Sequence, residues 1–218
     1  MITLYGVYRS RATRPLWLLA ECGVDFTHVP VIQSNRLDQP KAADAPYNTA
    51  SPQFLAINPI GQIPVLVEDG LVLTESLAIT LYIARRYGGT LGPQSDAEAA
   101  LMAQWALFAA TSIEDAAITI LSTQANGGDT PEAQSHIAIS AEKLRRPLRR
   151  LQKRLAEAEW LMGERFTVAD INTAECLRYA QGHPTLLDEF PAVKDWLTRC
   201  QARPAFQAMW DKRLAEPA

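Results

Sequence analysis

The stretch INPIGQIPVLVEDGLVLTES, residues 57–76, decides how the first part of this chain folds. The run from Ile63 to Val67 is rich in β-branched residues and predicts a buried strand, although Pro64 inside it cannot donate a hydrogen bond to a sheet. Proline is tolerated where a strand begins, so we expect Pro64 to open this strand. The next letters predict a hairpin turn (EDG), a returning strand (LVL) and the start of a helix (TES).

Short strand-like and helical patterns alternate on both sides of this stretch. MITLYG and DFTHVPV are strand-like, whereas RPLWLLAECG and SPQFLAINP are helical. TESLAITLYIARRYGG continues as a helix that ends at Gly88 and Gly89. The predicted order of elements is therefore βαβαββα.

Beyond residue 97 the strand patterns stop, and long helices are predicted instead. The first runs to about Gln124, and the second runs from Pro131 to about Glu159 with a kink at Pro147. Further helices fit 167–180, 190–202 and 204–213. A mixed half followed by a helical half predicts two domains, 1–87 and 97–218, joined by a linker at 88–96.

An acidic residue near the start of the 167–180 helix has a structural interpretation. Thr167 and Asp170 stand three residues apart before a helical run, so they predict a reciprocal N-terminal cap, with Phe166 and Ile171 as its hydrophobic staple. We therefore interpret Asp170 as structural rather than catalytic.

The amino-acid composition and net charge limit the classes of binding partner. The 218 residues are 48% hydrophobic and 21% charged with a net charge of -3, which is typical of a soluble globular protein without a general attraction to nucleic acid or membranes. A basic run in 143–154 lies opposite a leucine stripe and predicts a solvated helix face. The three cysteines lack the spacing of a disulfide framework or zinc site. No signal-like start or uninterrupted apolar stretch of membrane-spanning length is recognised, so we expect a cytoplasmic protein with a small-molecule partner and no metal.

Three motifs in the right order resemble the cytosolic glutathione S-transferase family, in particular its serine-using, bacterial zeta-, phi- or theta-like members. They are LYGVYRSRATRPLWLL, FLAINPIGQIPVLVEDGLVLTESLAITLYIARRY and GERFTVADI, and together they cover nearly the full chain. The resemblance implies a thioredoxin-like α/β N-terminal domain with a cis Ile63-Pro64 bond and an all-α C-terminal bundle. It also implies glutathione as co-substrate and a homodimer formed through parts of 75–87 and 97–110.

The thiolate of glutathione is the nucleophile in this family, and a free thiol of pKa about 8.5 is mostly protonated at neutral pH. Alignment with serine-using classes puts Ser10 at the position that stabilises the thiolate, whereas alignment with tyrosine-using classes puts Tyr5 there. We favour Ser10, because its loop precedes a helix N-terminus and Arg11 adds positive charge. If they do not stabilise the thiolate, Ser10 is a helix cap or turn residue and Tyr5 is a core residue of the first strand.

The resemblance also assigns contacts to glutathione. Gln62, the backbone of Ile63 before Pro64, and the pair Glu75 and Ser76 would hold the tripeptide, with Ser76 and the helix amides on its γ-glutamyl carboxylate and Glu75 on its ammonium group. Without the family resemblance, Thr74, Glu75 and Ser76 predict only an N-terminal cap for the helix at 75–87.

One departure concerns the glycyl end of glutathione. Serine-using relatives often carry His-Lys where this chain has Thr49 and Ala50. Asn48, Lys41 or Arg36 are candidates to replace those contacts, and the spacing does not choose among them.

The electrophile is expected in a cleft between the domains, with an apolar wall formed by Tyr8, Trp105, Phe108 and Thr111. Cys22 falls roughly 18 Å along the first helix from the serine loop, which disfavours thiol-disulfide exchange. The predicted function is therefore glutathione transfer to a hydrophobic electrophile, a detoxification reaction. The alternatives are a glutathione-dependent isomerase or dehalogenase, and a non-catalytic ligand-binding protein of the same fold.

Overall fold

The computed structural model describes residues 1–217 and divides into two compact units. Unit 1 joins Met1–Gly89 with the segment that begins at Pro204, and unit 2 is Thr90–Arg203. The segment from Pro204 therefore packs with the mixed α/β part, although its helical pattern had grouped it with the helical half of the sequence.

Unit 1 contains one mixed four-stranded sheet with the strand order β2-β1-β3-β4. The central strand β1 pairs in parallel with β2 and antiparallel with β3, and β3 pairs antiparallel with β4. The strands are β1 (Ile2–Tyr5), β2 (Phe26–Val29), β3 (Val65–Glu68) and β4 (Leu71–Leu73). The helices are α1 (Thr13–Cys22), α2 (Pro52–Ile57), α3 (Ser76–Tyr87) and α9 (Pro204–Ala215). The predicted order βαβαββα and the thioredoxin-like class are confirmed.

The third strand begins later than the β-branched pattern predicted. Its ladder with β1 starts at Val65, so Ile63 and Pro64 precede the strand rather than belonging to it. The missing N–H of proline therefore costs the sheet no hydrogen bond. The Ile63-Pro64 bond is cis, as the family resemblance implied. After β3 the chain reverses through Asp69 and Gly70, both at positive φ, as a two-residue hairpin turn requires.

Unit 2 is entirely helical apart from loops and one isolated bridge. Its α-helices are α4 (Asp96–Ala109), α5 (Asp115–Ala125), α6 (Pro131–Glu157), α7 (Val168–Leu177) and α8 (Pro191–Gln201). Short 3-10 turns occur in unit 2 at Arg178–Ala180 and Leu186–Glu189, in unit 1 at Ser34–Arg36, and at the boundary of the units at Gly89–Leu91. The predicted apolar stripe of α6 is buried, and its members are Ile137, Ala141, Leu144, Leu148, Leu151 and Leu155. Helix α7 is buried on every side, so it forms the centre of this unit.

The first long helix of unit 2 differs from its prediction in one respect. A π-helical segment, Ala110–Glu114, separates α4 from α5, where the sequence pattern predicted one continuous α-helix. By length and composition alone, Asp96–Ala125 is also apolar enough to cross a membrane, although its apolar sequence is interrupted by Glu98, Glu114 and Asp115. In the structure this segment packs against α6 and α7, and its buried face includes Met102 and Ile120.

The capping interpretation of Asp170 is confirmed. Thr167 and Asp170 form a reciprocal capping box at the start of α7. The Asp170 carboxylate also accepts hydrogen bonds from the Leu161 N–H and the Trp196 indole N–H, both at 2.9 Å. One fully buried side chain thus joins a loop, α7 and α8.

Candidate active site

Ser10 lies in the loop between β1 and α1, where a short turn leads into the helix. Its hydroxyl donates to the Val7 carbonyl at 2.7 Å and accepts from the Ala12 N–H at 3.0 Å. The second bond is a local serine turn, in which a side chain binds the backbone two residues ahead. The turn interpretation is therefore satisfied, and the same contacts hold the hydroxyl oxygen in a fixed place beside the helix N-terminus.

Gly6 brings this loop next to the Ile63-Pro64 peptide. It has φ +147°, a conformation that favours glycine. A Cβ built on Gly6 would lie 2.9 Å from the Ala12 Cβ and 3.6 Å from the Ile63 Cβ, so a side chain there would collide with the start of α1. The Gly6 carbonyl is hydrogen-bonded to His28 Nε2 at 2.8 Å. The close approach requires glycine at this position and places Ser10's loop beside Ile63.

Arg14, in the first turn of α1, connects this helix to the start of α3. Its side chain is only 1% exposed, and its guanidinium donates to the Ser76 hydroxyl at 2.9 Å. Ser76 is buried as the first residue of α3, with the exposed Glu75 directly before it. The structure therefore gives the predicted residue Ser76 a buried arginine partner on α1 that sequence reasoning missed. The available signal was a charged residue in the first turn of α1, directly before the apolar run from Pro15 to Ala20.

Glu75 is not used as a helix cap. Among the described residues, its side chain makes no capping hydrogen bond, although it occupies the N-cap position of α3. Its carboxylate is exposed, which leaves it accessible to a cationic ligand.

Tyr5 packs into the hydrophobic cluster of unit 1. Its ring lies 6.3 Å from the ring of Phe54, and Val31 and Val65 belong to the same cluster. This is the environment of a core tyrosine.

The loop before Pro64 is shaped by a buried asparagine. The Asn58 side chain donates to the Gln62 carbonyl at 2.8 Å and accepts from the Ile60 N–H. These bonds hold the backbone of 58–62 in place, while the Gln62 side chain is exposed and the Ile63 side chain is half-buried.

The three candidates for the missing His-Lys contacts have different surroundings. Asn48 is fully buried, and its amide donates to the carbonyls of Pro40 and Pro46. Arg36 donates to the Arg9 carbonyl at 2.8 Å. Lys41 lines a cavity of about 660 Å³ together with Ala50, Ser51 and Gln53.

The four residues expected to form an apolar wall have different surroundings. In unit 1, the Tyr8 ring meets His28 edge-on at 5.3 Å. In unit 2, Trp105 and Phe108 pack edge-to-face at 5.6 Å, and the Arg150 guanidinium lies over both rings. Thr111 is exposed and donates to the Leu107 carbonyl at 2.9 Å. Trp105 is buried and Phe108 is half-buried, so this pair is largely packed inside unit 2.

A carboxylate from the segment after α9 reaches the serine loop, and sequence reasoning missed it entirely. Glu216 accepts hydrogen bonds from the backbone N–H groups of Tyr8 and Arg9, each at 2.8 Å. No pattern in the sequence links residues more than 200 positions apart, so no local signal was available.

Cys22 is unsuited to exchange chemistry. Burial, with a smaller effect of Glu21, raises the pKa of its thiol to about 11, so it is protonated at neutral pH. Within residues 1–217, no group of three or more His, Cys, Asp or Glu side chains is arranged to hold a metal ion.

Comparison with known proteins identifies both halves of the chain. Residues 1–85 match the family model of the glutathione S-transferase N-terminal domain, and residues 99–204 match that of the C-terminal domain. Glutathione S-transferase 3 of Zea mays is 34% identical over 215 residues, which cover 94% of this chain and 91% of the relative.

Solved structures of glutathione transferases are similar to this chain as well. The glutathione transferase F7 of Populus trichocarpa is 30% identical, with a TM-score of 0.79 over 98% of this chain and 99% of the other. A theta class glutathione S-transferase from Xanthomonas axonopodis pv. citri, solved with glutathione bound, is 29% identical, with a TM-score of 0.76 over 95% of each chain.

Proposed function

Since this chain belongs to the glutathione S-transferase family, we propose that it activates the thiol of glutathione with Ser10 and directs the thiolate at a hydrophobic electrophile. The enzyme class is that of its relatives, a glutathione transferase with glutathione as co-substrate. The observation that carries the assignment of Ser10 is its hydroxyl, which is held at the start of α1 by the Ala12 N–H, in the same loop whose Gly6 lies close to Ile63.

The Ser10 hydroxyl would exchange one partner when glutathione binds. In the free enzyme its proton is directed at the Val7 carbonyl, while the Ala12 N–H holds its oxygen. Rotation of the O–H would direct the proton at the sulfur and leave the oxygen in place. A hydrogen bond to the thiolate, with the positive helix terminus and Arg11 nearby, lowers the pKa of the bound thiol.

The tripeptide backbone would align along the segment before β3. The β1–β3 ladder spans only Val65 to Val67 on that strand, which supports a role for the Ile63 backbone in pairing with an extended ligand. Gln62 is exposed beside it. At the other end, Ser76 and the N-terminal amides of α3 suit the γ-glutamyl carboxylate, and Glu75 suits the ammonium group.

For the glycyl carboxylate we favour Lys41. Asn48 is committed to the carbonyls of its own loop, and Arg36 to the Arg9 carbonyl. Lys41 lines a cavity in the same unit and carries the charge that a carboxylate needs. Lys41→Met is expected to raise the KM for glutathione about tenfold with kcat nearly unchanged, as loss of one charged hydrogen bond implies.

The remaining assignments extend the proposal beyond glutathione. Residues 1–87 would bind glutathione, with Tyr8 as a candidate contact for the electrophile, and the helical unit Thr90–Arg203 would offer Trp105, Phe108 and Thr111 as further candidates. We also propose a cytoplasmic homodimer through parts of 75–87 and 97–110. Leu101 and Leu107 of α4 are 46% and 66% exposed, which supports a contact surface there. A monomer in analytical ultracentrifugation would contradict the dimer.

Turnover with a general aromatic electrophile tests the thiolate donor. Ser10→Ala is expected to lower kcat/KM about a hundredfold, the cost of losing one donor to a developing anion, and to raise the pKa of bound glutathione. Ser135→Ala is the matched control, because that exposed hydroxyl also donates to a backbone carbonyl. If Ser10→Ala is fully active and Tyr5→Phe is not, the role belongs to Tyr5.

Retention on immobilised glutathione tests the alternative of a non-catalytic binding protein. Retention without turnover of any electrophile would favour that alternative, and failure to bind would contradict every glutathione-dependent function. A survey of isomerase and dehalogenase substrates separates these activities from conjugation, because all of them use the same thiolate.

A further inference from the structure

The segment after α9 makes a set of polar contacts with the serine loop. The two carboxylate oxygens of Glu216 each accept one backbone N–H, from Tyr8 and from Arg9, at 2.8 Å. Successive N–H groups that converge on one carboxylate form an anion-binding nest. Charge-assisted bonds of this kind are stronger than neutral ones. All the residues involved belong to unit 1.

The same segment also holds the other side of these peptide groups. Arg213 donates to the Tyr8 carbonyl at 2.6 Å, and the Arg9 guanidinium donates to the Glu216 carbonyl at 2.9 Å. The Lys212 ammonium lies 5.8 Å from the centre of the Tyr8 ring. Tyr8 is therefore held through its N–H and its carbonyl, and Arg9 through its N–H and its guanidinium.

Glu216 itself is held by the helix. Its N–H donates to the Lys212 carbonyl at 3.1 Å, and α9 packs against α1 through the edge-to-face contact of Trp17 and Phe206 at 4.9 Å. The carboxylate is thus presented from a fixed support rather than from a loose end.

We propose that Glu216 is a positioning residue for thiolate activation, which fixes the peptide groups of Tyr8 and Arg9 and thereby the direction of the Ser10 hydroxyl. Ser10 follows Arg9 directly, so the dihedral angles of residues 8 and 9 set where its side chain points. This inference rests on the proposed function of Ser10.

The direction in which Glu216→Gln shifts the pKa of bound glutathione distinguishes a positioning role from a purely electrostatic one. A negative charge near a thiolate disfavours it, so removing the Glu216 charge would by itself lower the pKa of bound glutathione. Loss of positioning does the reverse, because a misdirected Ser10 hydroxyl stabilises the thiolate less. A rise in the thiol pKa on removal of a negative charge is therefore the signature of positioning.

The test compares Glu216→Gln with the wild type and with Asp211→Asn, which removes the same charge from an exposed position on α9. In Glu216→Gln the amide nitrogen opposes a backbone N–H, so one bond of the pair is lost. We expect kcat/KM to fall about tenfold and the thiol pKa, measured from the ultraviolet absorbance of the thiolate, to rise. Asp211→Asn is expected to match the wild type in both.

A second measurement needs no glutathione. Hydrogen exchange of the Tyr8 and Arg9 amides in the free enzyme is expected to accelerate in Glu216→Gln and to stay unchanged in Asp211→Asn. An unchanged or lower thiol pKa in Glu216→Gln, or unchanged exchange at both amides, would overturn the proposal. If the wild type itself neither binds glutathione nor turns over, the proposed function fails, whereas the exchange measurement still reports on Glu216.

Discussion

Two carboxylates, one in each unit, bind backbone N–H groups in opposite circumstances. In unit 2, Asp170 is completely buried and its partners include Thr167, three positions earlier. In unit 1, Glu216 is only partly buried and its partners lie 208 and 207 positions away. The same chemical contact thus closes a local motif in one unit and joins distant parts of the chain in the other.

The difference in burial predicts a difference in role. Removing a carboxylate from a dry site leaves its donors unpaired, which costs stability. Removing a carboxylate from a partly solvated surface lets water replace it, so the fold tolerates the change while the loop loses its fixed geometry. Asp170 should therefore govern unfolding and Glu216 catalysis.

The largest expected effect is on stability. Asp170→Ala leaves the buried N–H groups of Leu161, Thr167 and Trp196 without their acceptor and should lower the free energy of unfolding by about 3 to 5 kcal/mol. Urea denaturation measures this, with the exposed Asp195→Ala as control. The molecules that remain folded should keep normal kcat/KM. A loss below about 1 kcal/mol would break the comparison.

The second effect is the pH dependence that Asp170 imposes. Burial, against several hydrogen bonds that act in the other direction, raises its pKa from 3.8 to about 6 in the folded state. Because the folded state binds a proton on Asp170 more tightly than the unfolded state does, protonation of Asp170 stabilises the folded protein. This stabilisation of about 3 kcal/mol is present below about pH 4 and is lost as the pH rises through about 6. The measurement is the unfolding free energy of the wild type minus that of Asp170→Asn. The difference should fall between pH 4 and pH 7, and a flat or rising difference would contradict it.

A smaller effect concerns a polar contact that serves the ligand. Arg14→Met frees the Ser76 hydroxyl from its buried partner and should raise the KM for glutathione about tenfold while changing kcat less. Arg85→Met, exposed on α3, is the control. An unchanged KM would show that Ser76 needs no help from Arg14 to bind its ligand.

The smallest expected effect completes the comparison. Glu216→Gln should change the free energy of unfolding by less than about 1 kcal/mol, because water reaches the site. The same urea experiment measures it. A destabilisation as large as that of Asp170→Ala would mean that both carboxylates hold the fold and that the division of roles is wrong.

The sequence predicted those features whose determinants are local. The strand and helix order, the cis Ile63-Pro64 bond implied by the family, and the Thr167–Asp170 cap all follow from residues a few positions apart. The start of β3 was two residues early, because β-branched residues continue up to a proline that the ladder excludes. The π-helical segment Ala110–Glu114 was missed, since it interrupts the helix without interrupting the apolar pattern.

The site was predictable only in part, for the same reason. Ser10, Ser76 and the segment at Ile63 lie in motifs and remain the proposed ligand contacts. The links between them do not: Arg14 joins α1 to α3, and Glu216 reaches back to Tyr8 over 208 positions. Asn48 looked free to bind a ligand from its position in a polar stretch, whereas folding buries it completely. Such contacts depend on which helices and strands pack against each other, and the spacing of residues along the chain does not predict that packing.

The contact between Tyr8 and Glu216 also has a consequence for how the protein is made. A ribosome adds about 5 to 20 residues per second, so the 208 residues between these partners separate their synthesis by about 10 to 40 seconds. All four strands of the unit 1 sheet have been synthesised once Leu73 is added, yet the nucleophile-activating loop lacks its carboxylate until Glu216 follows. If Glu216 positions Ser10 as proposed, a nascent chain therefore contains every strand of its sheet well before it becomes a competent catalyst.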